Sequence, residues 1–260
     1  MRNMIIYLLK GSFRYCFANR KSMLNVIILA VLFNLTFFVT YFDVFFNQSL
    51  RGITESFWCV LIIMFLTVGY GLAITKDLID GGKGLPKIFT WNTLKLGFKG
   101  LPVFVFYTMI QILVMVFIAD LFEFPAFDLE EMILQITDTF KLLFTHDPSS
   151  TVLFFAISCI VFFLSVFFME IALAQLADSG RFLDAFNIRL SLKNIRKIGW
   201  VGYAVDVTYV TLAVVILTFI GDLIDPYPLV NFLGAVLISV LIFVIQFGAI
   251  GIVFRDIKDV

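Results

Sequence analysis

The sequence predicts an all-α integral membrane fold: six transmembrane helices with cytoplasmic amphipathic helices. Three observations predict it: long apolar runs, cations sorted between those runs, and no period-2 alternation. Hydrophobic residues make up 61% of the 260 residues, mean hydropathy is +1.03, and Phe alone occurs 33 times. A globular domain is about half apolar or less. Backbone groups in lipid must bond internally, so runs this long fold as helices. A membrane barrel would instead alternate apolar and polar residues.

Six runs qualify as spans: Leu24–Phe46, Ser56–Ile79, Leu101–Phe122, Thr151–Asp178, Trp200–Ile224 and Leu229–Phe254. Each has at least about 22 residues, or about 33 Å at helical rise, against a hydrocarbon core of about 30 Å. All but Arg51 and Lys141 of the 19 Lys and Arg residues fall in alternate connections. The N-terminal segment holds Arg2, Lys10, Arg14, Arg20 and Lys21, and the second connection Lys76, Lys83, Lys87, Lys95 and Lys99. The fourth holds Arg181, Arg189, Lys193, Arg196 and Lys197, and the tail Arg255 and Lys258. Lys and Arg resist translocation. A multi-pass protein of the cell membrane with both termini cytoplasmic is therefore expected. The formal net charge of zero hides this sidedness, and no nucleic-acid partner is expected.

The segments before spans one, three and five share a design. Ile6, Leu9, Phe13 and Phe17 oppose Lys10, Arg14 and Lys21. Trp91, Leu94, Phe98 and Leu101 oppose Asn92, Lys95 and Lys99. Ile188, Leu192 and Ile195 oppose Arg189, Lys193, Arg196 and Lys197. Each reads as a short basic amphipathic helix. Placed in the cytoplasmic interface, its cations would meet anionic headgroups at about 1 kcal/mol each. The chain reads as one membrane domain over 1–260. It is divisible into three helix-plus-hairpin units, 1–79, 80–178 and 179–260.

The connection from Glu123 to Ser150 is acidic. Asp128 and Glu131 have capping-box spacing, and an apolar stripe from Leu129 to Leu143 follows. Asp147 and Pro148 suit the start of span four, which leaves His146, the single histidine, as a loop residue. Asn47-Gln48-Ser49 is a glycosylation sequon on the predicted outer side. Asp225-Pro226-Tyr227-Pro228 punctuates the last hairpin. Cys16, Cys59 and Cys159 form no CxxC pair and read as small apolar residues.

Ionisable groups at membrane depth are functional candidates by default. Glu170 lies roughly 12 Å from the cytoplasmic end of span four, and Asp206 roughly 9 Å into span five. Gln246 sits at comparable depth, so the three form one expected layer. Lys76 is a candidate counter-ion, and Tyr203 and Thr208 are candidate hydrogen-bond donors. Two carboxylates there could share a proton and serve a proton or cation relay or a headgroup site. The alternative is a satisfied polar cluster that fixes helix packing. Asn34, Gln111 and Gln175 read as interhelical hydrogen bonders. Gly199, Gly202, Gly248 and Gly251 read as small residues at helix contacts.

Motifs for catalysis are missing: no HExxH, no GxSxG, and no hydroxyl residue after Lys83 in the Gly81-Gly82-Lys83-Gly84 run. No enzymatic activity, metal or cofactor is expected.

Asp80-Gly81-Gly82-Lys83-Gly84-Leu85-Pro86, followed by Phe89, Trp91 and Gly100, resembles the D-G…L-P…F…W…G motif of an uncharacterised, largely archaeal membrane family, the domain of unknown function family 4013. Gly180-Arg181 with Ala185-Phe186 is similar to its second signature. Lys87 and Thr90 stand where family members usually carry acidic residues. The resemblance implies six helices with cytoplasmic amphipathic helices and brings no established activity. The family is distantly similar to membrane domains found beside glycerophosphodiester phosphodiesterases, which implies a lipid environment.

Two functions are thus expected to compete. One is a non-enzymatic protein that organises membrane lipids, a membrane-protein partner or further copies of itself at the cytoplasmic face. The other is a transporter or channel for a small solute, ion or lipid that uses Glu170 and Asp206.

Overall fold

A computed structural model describes residues 4–18, 20–42, 50–82, 84–88, 90–121, 148–222 and 228–258. Among them there are helices and turns and no strand. The helices are α1 (Met4–Phe17), α2 (Arg20–Phe42), α3 (Leu50–Ile79), α4 (Trp91–Leu121), α5 (Pro148–Ser179), α6 (Ile188–Ile198), α7 (Trp200–Asp222) and α8 (Pro228–Lys258). A 3-10 turn, Phe182–Phe186, precedes α6. Five helical stretches are long and apolar enough to cross a bilayer: Trp58–Ile79, Trp91–Leu121, Val152–Ser179, Trp200–Ile220 and Phe232–Asp256. The first expected span lies in α2, whose apolar stretch among the described residues is the shorter Met23–Thr36. The chain is an all-helical membrane protein, with five such helices rather than six on the described residues.

Two compact units form. One comprises Met1–Val103 with Glu170–Val260, the other Phe104–Met169. In the first, α8 is the central post, packed against α1, α2, α3, α6 and α7. Its residues from Phe247 to Phe254 are all buried. Glycines make that possible. A Cβ at Gly248 would stand 2.7 Å from Ser12 Oγ of α1, and one at Gly251 would stand 2.8 Å from Leu78 Cβ of α3. Polar bonds pin α8 to α3 and α2. The Thr75 hydroxyl donates to the Phe247 carbonyl (3.0 Å), and Asn34 Nδ2 donates to Ser239 Oγ (3.0 Å). Val210, Ile245 and Ala249 bury the seam between α7 and α8, with Phe13 of α1 against them.

Helices α3 and α4 approach backbone to backbone. A Cβ at Gly69 would strike the Thr93 carbonyl oxygen, and one at Gly97 would strike that of Phe65. Gly100 packs on Leu72 and Val68, and the Phe65 and Phe98 rings stack at 4.5 Å. This contact overturns one expectation. The Trp91–Leu101 segment is not a separate helix. It forms the first turns of the 31-residue α4, which runs through Pro102. The reason is physical: Thr90 Oγ1 accepts from Thr93 N (3.2 Å) and caps the start, and the two glycines then commit these turns to α3. A second expectation also fails. Gly199 has φ +95° and ends α6, and nothing lies within 4 Å of a Cβ built at Gly199 or Gly202. Neither makes a close helix contact, unlike Gly248 and Gly251.

In the second unit, Ile118, Ala119 and Phe154 form a small core with Met115, Ile157 and Val161. Leu113, Phe117, Leu153 and Ile160 are exposed, as suits lipid-facing helix surfaces. Cys59 and Cys159 are free, exposed thiols. The expectations for Asn47, Glu123 to Asp147 and Asp225 to Tyr227 lie outside the described residues.

Gly97→Ala should lower stability by about 1–3 kcal/mol, because backbone rather than a flexible side chain blocks the new methyl. Gly202→Ala should instead gain up to about 1 kcal/mol from helix propensity. Unfolding titrations in sodium dodecyl sulfate, read by circular dichroism, compare the two.

Candidate functional site

The structure brings Glu170 and Asp206 together. Glu170 lies on α5 and Asp206 on α7, and both are buried, at 5% and 3% exposure. Both line a cavity of about 20 Å³ with Tyr203, Ala174, Ile250 and Phe254. A water needs about 10–15 Å³ of such space, so the cavity admits one water-sized occupant. Its walls are otherwise apolar. Glu170 and Asp206 are within electrostatic reach of each other, and Asp206 is also within reach of Asp256 near the end of α8. Asp206 Oδ1 is buried and meets no hydrogen-bond partner among the described residues.

The rest of the expected layer lies elsewhere. Gln246 is half-buried on α8, a turn before Ala249 and Ile250, and does not line this cavity. Thr208 spends its hydroxyl on the Ala204 carbonyl of its own helix (2.7 Å). Lys76 is exposed and borders a separate groove. Of the expected interhelical bonders, Asn34 reaches Ser239, and Gln175 bonds Ser191, both buried (3.2 Å). Gln111 makes no side-chain hydrogen bond among the described residues.

The groove bordered by Lys76 is built by the Asp80–Trp91 motif. Gly81, with φ +78°, ends α3, and Gly82 N–H returns to the Asp77 carbonyl (2.7 Å). Leu85 and Ile88 are buried, and the Pro86 carbonyl accepts from Tyr70 (3.2 Å). The Tyr15 hydroxyl of α1 reaches the Asp77 carboxylate (2.5 Å) and the Gly84 carbonyl (3.1 Å). Lys99 Nζ donates to the carbonyl of Gly180, the residue that ends α5 with φ +65°. The two sequence signatures therefore meet at one end of the first unit. The groove between them has about 390 Å³ and carries Lys76, Lys87, Lys95 and Lys99 on its walls, with Asp77 and exposed Asp80. Trp91 stands 70% exposed, with the Lys95 ammonium 5.5 Å from its ring centroid. Sequence reasoning missed Tyr15 and Asp77, because nothing local marks a contact 62 residues long.

The remaining expected headgroup residues sit on α1 and α6. Lys10 and Arg14 are exposed on α1, and the Lys21 side chain lies outside the description. Asn187 caps α6 by accepting from Leu190 N (3.1 Å). Ile195 is fully buried, while Ile188 and Leu192 are exposed beside Arg189, Lys193, Arg196 and Lys197. Among the described residues no group of three or more His, Cys, Asp or Glu could hold a metal.

A buried orphan acceptor costs about 1–3 kcal/mol, and an apolar group of the same shape avoids that cost. Asp206→Leu should therefore raise stability by about 1 kcal/mol or more, read as a higher midpoint in the same detergent titration. A lower midpoint would mean that Asp206 is satisfied in the folded protein.

No curated protein and no solved structure matches the chain. A family model described as protein of unknown function (DUF4013) matches residues 56–225, which takes in the Asp80–Gly100 motif, the Gly180–Phe186 signature and both buried carboxylates. The chain, a membrane protein with its two signatures joined across one groove, belongs to this DUF4013 family.

Proposed function

We propose that this protein docks its basic end on anionic lipid headgroups at the cytoplasmic face and organises lipids or partner proteins there without catalysing a reaction. The observation that carries the reading is α6. Buried Ile195 and Ser191 anchor it, while four exposed cations and exposed Ile188 and Leu192 share its other surface. An amphipathic helix held this way puts apolar area at the acyl boundary and charge at the phosphates. Trp91, Phe98 and Lys95 at the start of α4 are also exposed, and Trp suits the headgroup level.

A second reading rests on the Glu170–Asp206 cavity. Two acidic side chains at depth, one with an unmet oxygen, suit the passage of a proton or small cation through the bundle. Under this reading the protein transports, and its basic end only orients it.

The test of docking is the boundary lipid. With the protein reconstituted in phosphatidylcholine, spin-labelled phosphatidylglycerol should associate more strongly than its zwitterionic analogue. Lys193→Glu, Arg196→Glu and Lys197→Glu together should abolish that preference, since each cation contributes about 1 kcal/mol. An unchanged preference rejects the reading. For transport, Glu170→Gln and Asp206→Asn should each cut proteoliposome proton or cation flux at least about tenfold, the scale of removing one relay group. Flux indifferent to both leaves the carboxylates structural.

A further inference from the structure

The geometry points to the groove between the end of α3 and the start of α4 as a binding site for a phosphomonoester, the chemistry shared by a monoester lipid headgroup and a small soluble phosphate ester. The inference deepens the headgroup reading above and rests on it for the lipid source of the phosphate.

Size comes first. The groove's 390 Å³ falls in the range of small-molecule sites, about 300–1,000 Å³. Charge comes second. Four ammonium groups face two carboxylates, and Asp77 is already engaged by the Tyr15 hydroxyl. The balance is two positive charges. A phosphomonoester carries about −1.5 to −2 at neutral pH, whereas a phosphodiester headgroup carries one charge. Lysine binds phosphate as a point charge without demanding fork geometry, which suits ammonium groups arriving from different elements. Lys76 comes from the last turn of α3, Lys87 from the connection, and Lys95 and Lys99 from the first turns of α4.

Preorganisation comes third. The walls are fixed before any ligand arrives. Tyr70 holds Pro86, Tyr15 holds Gly84, and Gly180 holds Lys99. A side chain at position 82 would strike the Asp77 carboxylate, so glycine is what lets the chain pass that close to it. Lys76 and Lys87 are exposed, and their side-chain ammonium groups make no hydrogen bond or ion pair among the described residues. Their charge is available, and their removal empties no core.

The experiment titrates the purified protein in an uncharged detergent, by calorimetry, with dioctanoyl phosphatidic acid, dioctanoyl phosphatidylglycerol and glycerol 3-phosphate. Phosphatidic acid should bind more tightly than phosphatidylglycerol. Lys76→Gln with Lys87→Gln should weaken phosphatidic acid about 25-fold, or about fivefold per amine, and leave the boundary preference for spin-labelled phosphatidylglycerol intact. Glycerol 3-phosphate binding as tightly as phosphatidic acid, with the same loss, assigns the site to soluble esters. Much weaker binding assigns it to lipid. The α6 triple variant should lose boundary phosphatidylglycerol yet keep the monoester preference, so docking and groove fail separately. The inference is overturned if the monoester binds no tighter than the diester, or if the double variant binds phosphatidic acid as the native protein does.

Discussion

The close approach of α3 to α4 and α8 is the contact on which the rest depends. Lipid tails are as apolar as leucine, so hydrophobic burial gives membrane helices little reason to associate, and dispersion between closely packed backbones must do so instead. Gly69 and Gly97 place α3 and α4 in that contact, and Gly71, against the Phe247 ring, does the same towards α8. With α3 held on both sides, the end of α3 and the start of α4 stand at a fixed separation. The connection has only to span it. Gly81 turns the chain, Leu85 and Ile88 anchor it, and the lysine groove is the space left between.

Polar groups in the first unit divide by whether their bonds are met. Thr75, Asn34 and Gln175 each close a bond to another helix, and such bonds contribute about 0.6 kcal/mol on average in membranes. They fix register. The carboxylate cavity is different, because Asp206 lines a space of one water and its Oδ1 has no partner among the described residues. Packing alone gives no reason to keep an acid there, since an apolar residue of similar shape would fill the site at lower cost.

The spans were legible because apolar length is a local property. The pairing of Glu170 with Asp206 was legible because helical rise converts residue counts into depth. Depth alone says nothing about azimuth, and so Gln246 and Lys76 were placed in a layer whose cavity they do not line. The continuity of α4 was hidden for a related reason. Amphipathic spacing over Trp91–Leu101 read as a short helix set before the span, and only the partner helix reveals that Gly97 and Gly100 face α3. Gly199 and Gly202 have the same composition and spacing as Gly248 and Gly251, yet only the second pair meets another helix. The residue type permits close approach, and the neighbour decides whether it occurs.

Bonds rather than sequence proximity join the cationic segments. Tyr15 ties α1 to Asp77 and Gly84, Lys99 ties α4 to Gly180, and the chain from Gly180 leads through the 3-10 turn directly into α6. Gly199 then passes from α6 to α7 in a backbone conformation that only glycine adopts readily, and Asp206 stands two turns beyond. One glycine and two turns of helix therefore separate the basic helix from the buried acids.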